Sequence, residues 1–519
     1  MTDYRAKTAL PKYLRVEQER IEKAAKDKGL DFFPIVYELI DHDMMSEIAA
    51  KNGFPEVYPH WSRGMEYDRL SKTHEFGLSL IMELVINSNP SYAYLQETNS
   101  LTINKTVLCH VVGHSMMFKH NYCFRSTDLD GGQTTDPLNK SADYNPRRGW
   151  VDVFANNAAR IRNVIDKVGY DRVESFIDQC LSVENLIDMH APFSGTRKET
   201  TRDESVKPVK ISKFKVKNEY MEEFINNPQY LEEQKKALED ERAKPKKFPE
   251  HAEGDVLGFI LKHAPLEDWE RDVLEVIYIE SQYFAPQRQT KILNEGIASL
   301  FESDLMTQKI LNADELIEYA DSHSRVLATD GRSLNPYKLG IELLRNIRER
   351  WNKGQYGKAW DECDDLAEKA NWDTKAGLGD QKIQEVLRIY NDGTLIDAFM
   401  TPDFCREHKL FSIAWSNRND RYEIETREFK KVKDKLLFQL TNSGNPFISV
   451  EDANYDNRGE LLIKHEHQGM DLRQDYAKSV LTSMVRIWKR PVNLQTIVEE
   501  KSVMLRYDGK EHTMRQLRS

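Results

Sequence analysis

The spacing of apolar residues changes once along this chain, near residue 395, and that change sets most of what the chain can fold into. Before it, apolar residues recur every three or four positions, the period of a helix with one buried face. Leu70, Gly77, Leu80, Ile81, Leu84 and Val85 keep this spacing in EYDRLSKTHEFGLSLIMELVIN. Phe154, Ala158, Ile161, Ile165 and Val168 keep it in WVDVFANNAARIRNVIDKVG. It returns in LEDWERDVLEVIYIESQYF and QTKILNEGIASLFESDLM, with Pro286 between the two. Residues 13 to 190 read mainly as helices. After residue 395, YEIET, NPFISVEDA, GELLIKHEH, VNLQTIV and SVMLRYD read as strands. FKKVKDKLLFQLTN and RQDYAKSVLTSMVRIWKR stay helical. The order β-α-β-β-α-β plus a terminal hairpin would suit a small ferredoxin-like domain.

The expectation is a mainly α N-terminal domain, residues 1–192 and 253–394, and a smaller α+β C-terminal domain, residues 395–519. Residues 193–252 are rich in Lys, Glu, Asp and Pro and read as a solvated, charged excursion. The polar stretch 122–149, with Asp130-Gly131-Gly132, Pro137 and Asn145-Pro146, reads as a loop longer than most connections.

At 519 residues the chain exceeds one ordinary core. A net charge of -11 disfavours broad nucleic-acid binding, which needs a basic surface. No stretch approaches the roughly 20 apolar residues of a membrane span. The N-terminus lacks the pattern of a secretory signal. The five cysteines are scattered and form no CxxC pair, as expected for reduced thiols in the cytoplasm.

The chemistry centres on LCHVVGHSMMFKHN. Placed on a helix, His110 and His114 project from one face about 5–6 Å apart at Cβ, a bite that suits two imidazoles on one ion. Ile103, Val107, Val111, His114 and Phe118 also form an apolar stripe, so two histidines satisfied within a core are the competing reading. A metal site needs a third ligand, and Glu295 in NEGIAS is the candidate. Two histidines and one carboxylate with an open position form a catalytic zinc set, and on iron a facial triad. In HExxH peptidases the residue after the first histidine is the general base. Here it is Val111, so a base would have to come from elsewhere, with Glu302 and Glu75 as candidates. Arg288, ahead of Glu295, could hold an anionic group bidentately or form a surface ion pair.

Several longer strings are more specific. YPHWSRGMEYDRLSK, HEFGLSLIMELVINSNPSYAYL, HVVGH, FIDQCLSVENLID, YFAPQRQTKILNEG and RPVNLQTIVEEKSVMLRYDG together resemble the stage V sporulation protein R (SpoVR) family. The resemblance implies a link to spore cortex and peptidoglycan formation. It also implies partners encoded nearby, a PrkA-type serine protein kinase and a von Willebrand-type protein. A zinc or other divalent ion at His110, His114 and Glu295 would make a peptidase- or amidase-like hydrolase. The alternative is a non-catalytic regulatory or scaffold protein acting with the kinase. The chain departs from the family pattern at Met116, where an acidic residue is expected, and at Asn157, where a histidine is usual.

Overall fold

A computed structural model describes residues 10–75, 83–127, 149–191, 247–329, 334–416 and 420–517. The chain forms two compact units. One comprises residues 1–174 and 279–445, the other residues 175–278 and 446–519. Residues 128–148 of the expected loop 122–149 and most of the expected excursion, residues 193–246, lie outside the described residues, and Tyr122–Thr127 form a 3-10 helix.

The first unit is helical around three central helices. α1 spans Lys12–Asp27, α2 His42–Ala50, α3 Trp61–Glu75, α4 Leu101–His120 and α5 Trp150–Val168. Ser100 caps α4, its hydroxyl accepting from the Ile103 N–H at 3.2 Å, so the long helix has a defined start. Every residue of α4 from Val107 to Phe118 is buried. In chain order α6, Tyr170–Leu181, and α7, Val256–His263, come next, and then α8 spans Asp268–Gln289, α9 Lys291–Leu305, α10 Leu316–Val326 and α11 Pro336–Lys353. α4 and α11 each pack against α9.

Glycines let these three helices approach closely. A Cβ on Gly113 of α4 would stand 2.5 Å from the Ala298 Cα of α9. A Cβ on Gly296 of α9 would stand 2.6 Å from the Gly340 backbone carbon of α11. Both distances are below any real Cβ contact, and the neighbouring atoms are backbone, which cannot rotate away.

A three-stranded sheet completes this unit. β1 is Ile35–Ile40, β2 Glu83–Ile86 and β3 Ser91–Gln96, in the order β1-β3-β2. β1 runs parallel to β3, and β2 antiparallel to it, with Glu83 opposite Leu95. The sequence pattern had assigned Leu84 and Val85 to a helix. ELVI is instead a short strand that turns through Asn87–Pro90 and pairs with β3. Short apolar runs carry both periods, and the hydrogen bonds available to the backbone decide.

The second unit contains a five-stranded sheet ordered β10-β9-β8-β7-β6, from β6 Ile448–Tyr455, β7 Glu460–His465, β8 Val492–Val498, β9 Lys501–Tyr507 and β10 His512–Gln516. β7 and β8 are parallel, joined through a helix at Gln474–Trp488, and the other pairs are antiparallel. The smaller α+β region is as expected, but its topology is not the ferredoxin-like order. YEIET does not enter this sheet. It forms β5, Arg421–Thr426, and pairs only with β4, Ser412–Ser416, as a separate hairpin that clusters with the helical unit. Its outward residues Trp415, Tyr422 and Ile424 remain exposed, so alternation did not mean burial on one face.

Gly113→Ala and Gly296→Ala should each destabilise the chain by about 1–3 kcal/mol through overpacking. Gly64→Ala, where an added Cβ meets nothing within 4 Å, should be neutral or slightly stabilising. Urea unfolding of the three variants checks this contrast.

Candidate metal centre

α4 carries both imidazoles, α9 carries Glu295 and Glu302, and β2 carries Glu83. The Gly113–Ala298 approach brings the two helices close enough for short side chains to meet between them. All four helical residues are buried. The rings of His110 and His114 lie 4.7 Å apart between centroids.

The outward nitrogen of each ring is committed to an acceptor. His110 Nδ1 donates to Glu302 Oε2 at 2.8 Å. His114 Nδ1 donates to the Asn294 side-chain oxygen at 2.9 Å. An amide oxygen cannot donate, so His114 Nδ1 is the donor of this bond, and its Nε2 points inward.

Two carboxylates meet these inward nitrogens. Glu295 Oε2 is 3.4 Å from His110 Nε2 and 3.5 Å from His114 Nε2. Glu83 Oε1 is 3.5 and 3.6 Å from the same two atoms. Ligand atoms of Glu83, His110 and His114 all lie within 4.8 Å of one another. These separations exceed an ordinary N–H···O hydrogen bond, whose common range is about 2.7–3.2 Å. They match a different geometry: donors about 2.0–2.1 Å from a tetrahedral ion stand about 3.4 Å apart. Glu83 Oε2 is buried and, among the described residues, has no hydrogen-bond partner. Two carboxylates, two inward imidazole nitrogens and an orphaned oxygen fit a divalent cation.

The buried ionisable groups of the site act strongly on one another. Burial pulls the His110 imidazole down, but the Glu83 charge and the hydrogen bonds to Glu295 and Glu302 outweigh it and raise its pKa well above the usual value. Burial would raise Glu295, yet the histidines and Lys291 hold it well below the carboxylate range. Glu302 is likewise lowered against its burial, by hydrogen bonds from His110 and His323. Burial and the charges of Glu295 and Glu83 push the Tyr337 phenol far up. It therefore stays protonated beside Glu295. Lys291 holds the other Glu295 oxygen at 2.9 Å.

Helix α9 is itself fixed at its start. Both carboxylate oxygens of buried Asp392 accept from the Ile292 and Leu293 N–H groups at 2.8 Å.

Of the sequence candidates, the structure brings His110, His114 and Glu295 together and sets Glu302 behind His110. Glu302 is not a free base, because its oxygens already take hydrogen bonds from His110, Tyr319 and His323. Arg288 turns back on its own helix and donates to the Ser281 carbonyl at 3.2 Å. Glu75 closes α3, and its side chain lies outside the described residues. Met116 is a core residue, and Asn157 is buried and donates to Glu280 at 3.4 Å. Glu83, Asn294 and Tyr337 were missed. Glu83 was hidden inside an assumed helix. Asn294 had a signal in its adjacency to Glu295.

The SpoVR like protein family model matches residues 9–445, and the SpoVR-like C-terminal domain model matches residues 446–499. This chain belongs to the SpoVR family. The boundary between the two SpoVR models falls at one of the points where the compact units divide, between Asn445 and Pro446, while the first model also takes in residues 175–278 of the second unit. An uncharacterized protein YcgB of Escherichia coli (strain K12) is 27% identical over 523 residues, covering 95% of this chain and 93% of that protein. No solved structure matches. Among the described residues, no helix is long and apolar enough to cross a membrane.

Asp392 offers a test of how α9 is anchored. Burial raises its carboxyl to about 7 despite the two backbone donors. A raised folded-state value means this group stabilises the fold fully below its ordinary 3.8 and loses that contribution as pH rises through about 7. Asp392→Asn turns one acceptor into a donor facing an N–H, so it should be less stable than wild type. The gap should narrow by about 4 kcal/mol between pH 4 and pH 8, as measured by denaturant unfolding at both.

Proposed function

We propose that this SpoVR-family protein holds a divalent metal ion, zinc or another, at His110 Nε2, His114 Nε2, Glu83 and Glu295. The observation that carries the reading is the set of 3.4–3.6 Å separations between two inward imidazole nitrogens and two carboxylate oxygens. Without a cation the two carboxylate oxygens meet the inward imidazole nitrogens only at distances too long for strong hydrogen bonds. When bound, the ion supplies Lewis acidity toward a carbonyl or phosphoryl oxygen.

The remaining groups have derivable roles. Asn294 and Glu302 hold the two rings with Nε2 inward. Lys291 takes Glu295 Oε1, which leaves Oε2 for the rings, and Tyr337 bonds the same carboxylate. Glu83 Oε2 is the carboxylate oxygen left to accept a proton at the site. That suits a hydrolase of peptidase or amidase type. The family resemblance points to an amide in a peptidoglycan-derived peptide as the substrate class, with spore cortex formation as the process.

A second reading is favoured by one residue. Val111, fully buried, stands where HExxH peptidases have their base. In that reading the metal centre is structural, and the chain acts as a regulatory or scaffold partner of a PrkA-type kinase and a von Willebrand-type protein. A His110→Ala, His114→Ala double variant made at normal protein levels separates the two. Loss of phenotype supports chemistry at the centre, and a retained phenotype supports the scaffold.

Protein purified without chelator should contain about one metal equivalent per chain by elemental analysis. His110→Ala should lose it, and Glu83→Gln should bind at least about tenfold more weakly. Negligible metal in the wild type overturns the reading. Because ligands must shed protons, apparent affinity should rise with pH. The raised His110 value carries that rise above the ordinary imidazole range. Calorimetric titration in buffers of different ionisation enthalpy measures the protons released.

A further inference from the structure

Glu302 lies outside the ligand group, yet every contact it makes bears on that group. Its Oε2 takes the His110 Nδ1 proton at 2.8 Å. Its Oε1 accepts from the Tyr319 hydroxyl at 3.3 Å and from His323 Nδ1 at 3.2 Å. Tyr319 and His323 sit one turn apart on α10, with ring centroids 5.4 Å apart. Among the described residues, the bond to Glu302 is the only hydrogen bond of the His323 ring, and its Nε2 is buried without a partner. A half-buried imidazole whose hydrogen bond goes to Glu302, with its other nitrogen enclosed, has that contact as its polar task.

α10 is held in place to do this. Glu315, the residue before it, pairs at 2.7 Å with Lys105 of α4, whose side chain is almost fully buried. The same helix that carries His110 therefore anchors the helix that steers Glu302.

We propose that Tyr319 and His323 are positioning residues of the metal centre, resting on the metal reading above. Their two donors fix the Glu302 carboxylate in one rotamer. A carboxylate acceptor held at Nδ1 orients the ring and strengthens the metal-facing Nε2 as a donor. His114 has only the neutral Asn294 amide behind it. The two imidazoles are thus unequal, and the stronger depends on α10.

The test is a Co²⁺ titration of the full chain, read by visible absorption. His323→Leu should weaken Co²⁺ binding about 10- to 100-fold and shift the ligand-field bands. His323→Asn places an N–H donor where Nδ1 was and should recover most of the loss. Tyr319→Phe removes one hydroxyl with little change in packing and should show a smaller loss in the same direction, so a misfolded leucine variant does not end the experiment. If wild type binds Co²⁺ and His323→Leu matches it in affinity and spectrum, the proposal is wrong. Equal losses in the leucine and asparagine variants would assign His323 to packing and also overturn it. Wild type that binds no Co²⁺ removes the metal centre itself, a different failure.

Discussion

The contact between α4 and α9 at Gly113 and Ala298 is the constraint on which the site depends. Histidine and glutamate side chains are short, and two helices at ordinary separation would leave a gap between them. A Cβ on Gly113 would meet the Ala298 backbone at 2.5 Å, so the helices touch where no larger residue fits. On the far side of α9, Gly296 faces Gly340 in the same way, which wedges α9 between two partners. Rigid helices pressed together on both sides give the side chains between them few alternative arrangements. That suits a site needing its donors held to within a fraction of an ångström.

Within that gap the polar groups are ordered in shells. Two imidazole nitrogens face two carboxylate oxygens, and a second ring of groups, Glu302, Asn294, Lys291 and Tyr337, bonds to the rings and to Glu295 from behind. Burying this much charge costs stability unless each group finds opposite charge or hydrogen bonds. Glu302 and Glu295 do find them, which is why both stay ionised against their burial. Among the described residues, one Glu83 oxygen is left without a partner. A strained or unsatisfied group at the centre of an otherwise satisfied network is where function is usually found.

Much of this was legible in the sequence, and the failures have physical causes. HVVGH fixed the helix and the face of both imidazoles, because a four-residue spacing allows little else. NEGIAS marked the carboxylate that would meet them, because a two-histidine site needs a third ligand. Glu83 was not legible. ELVI fits a helical stripe and a strand equally well, and only pairing with β3 decides between them. Glu302 was named, but as a base. Sequence gives a side chain's type and face, while its role depended on which atoms reached it from α4 and α10. YEIET alternates like a strand of the main sheet, and alternation carries no information on which partner a strand will choose.

The account stands on a single ion filling the space among four donors. Anomalous diffraction from crystals of the full chain grown with zinc tests this most directly. The expected result is one strong peak about 2 Å from each of His110 Nε2 and His114 Nε2 and from oxygens of Glu83 and Glu295. A zinc-grown crystal with no peak there, and with Glu83 hydrogen-bonded elsewhere, would contradict it.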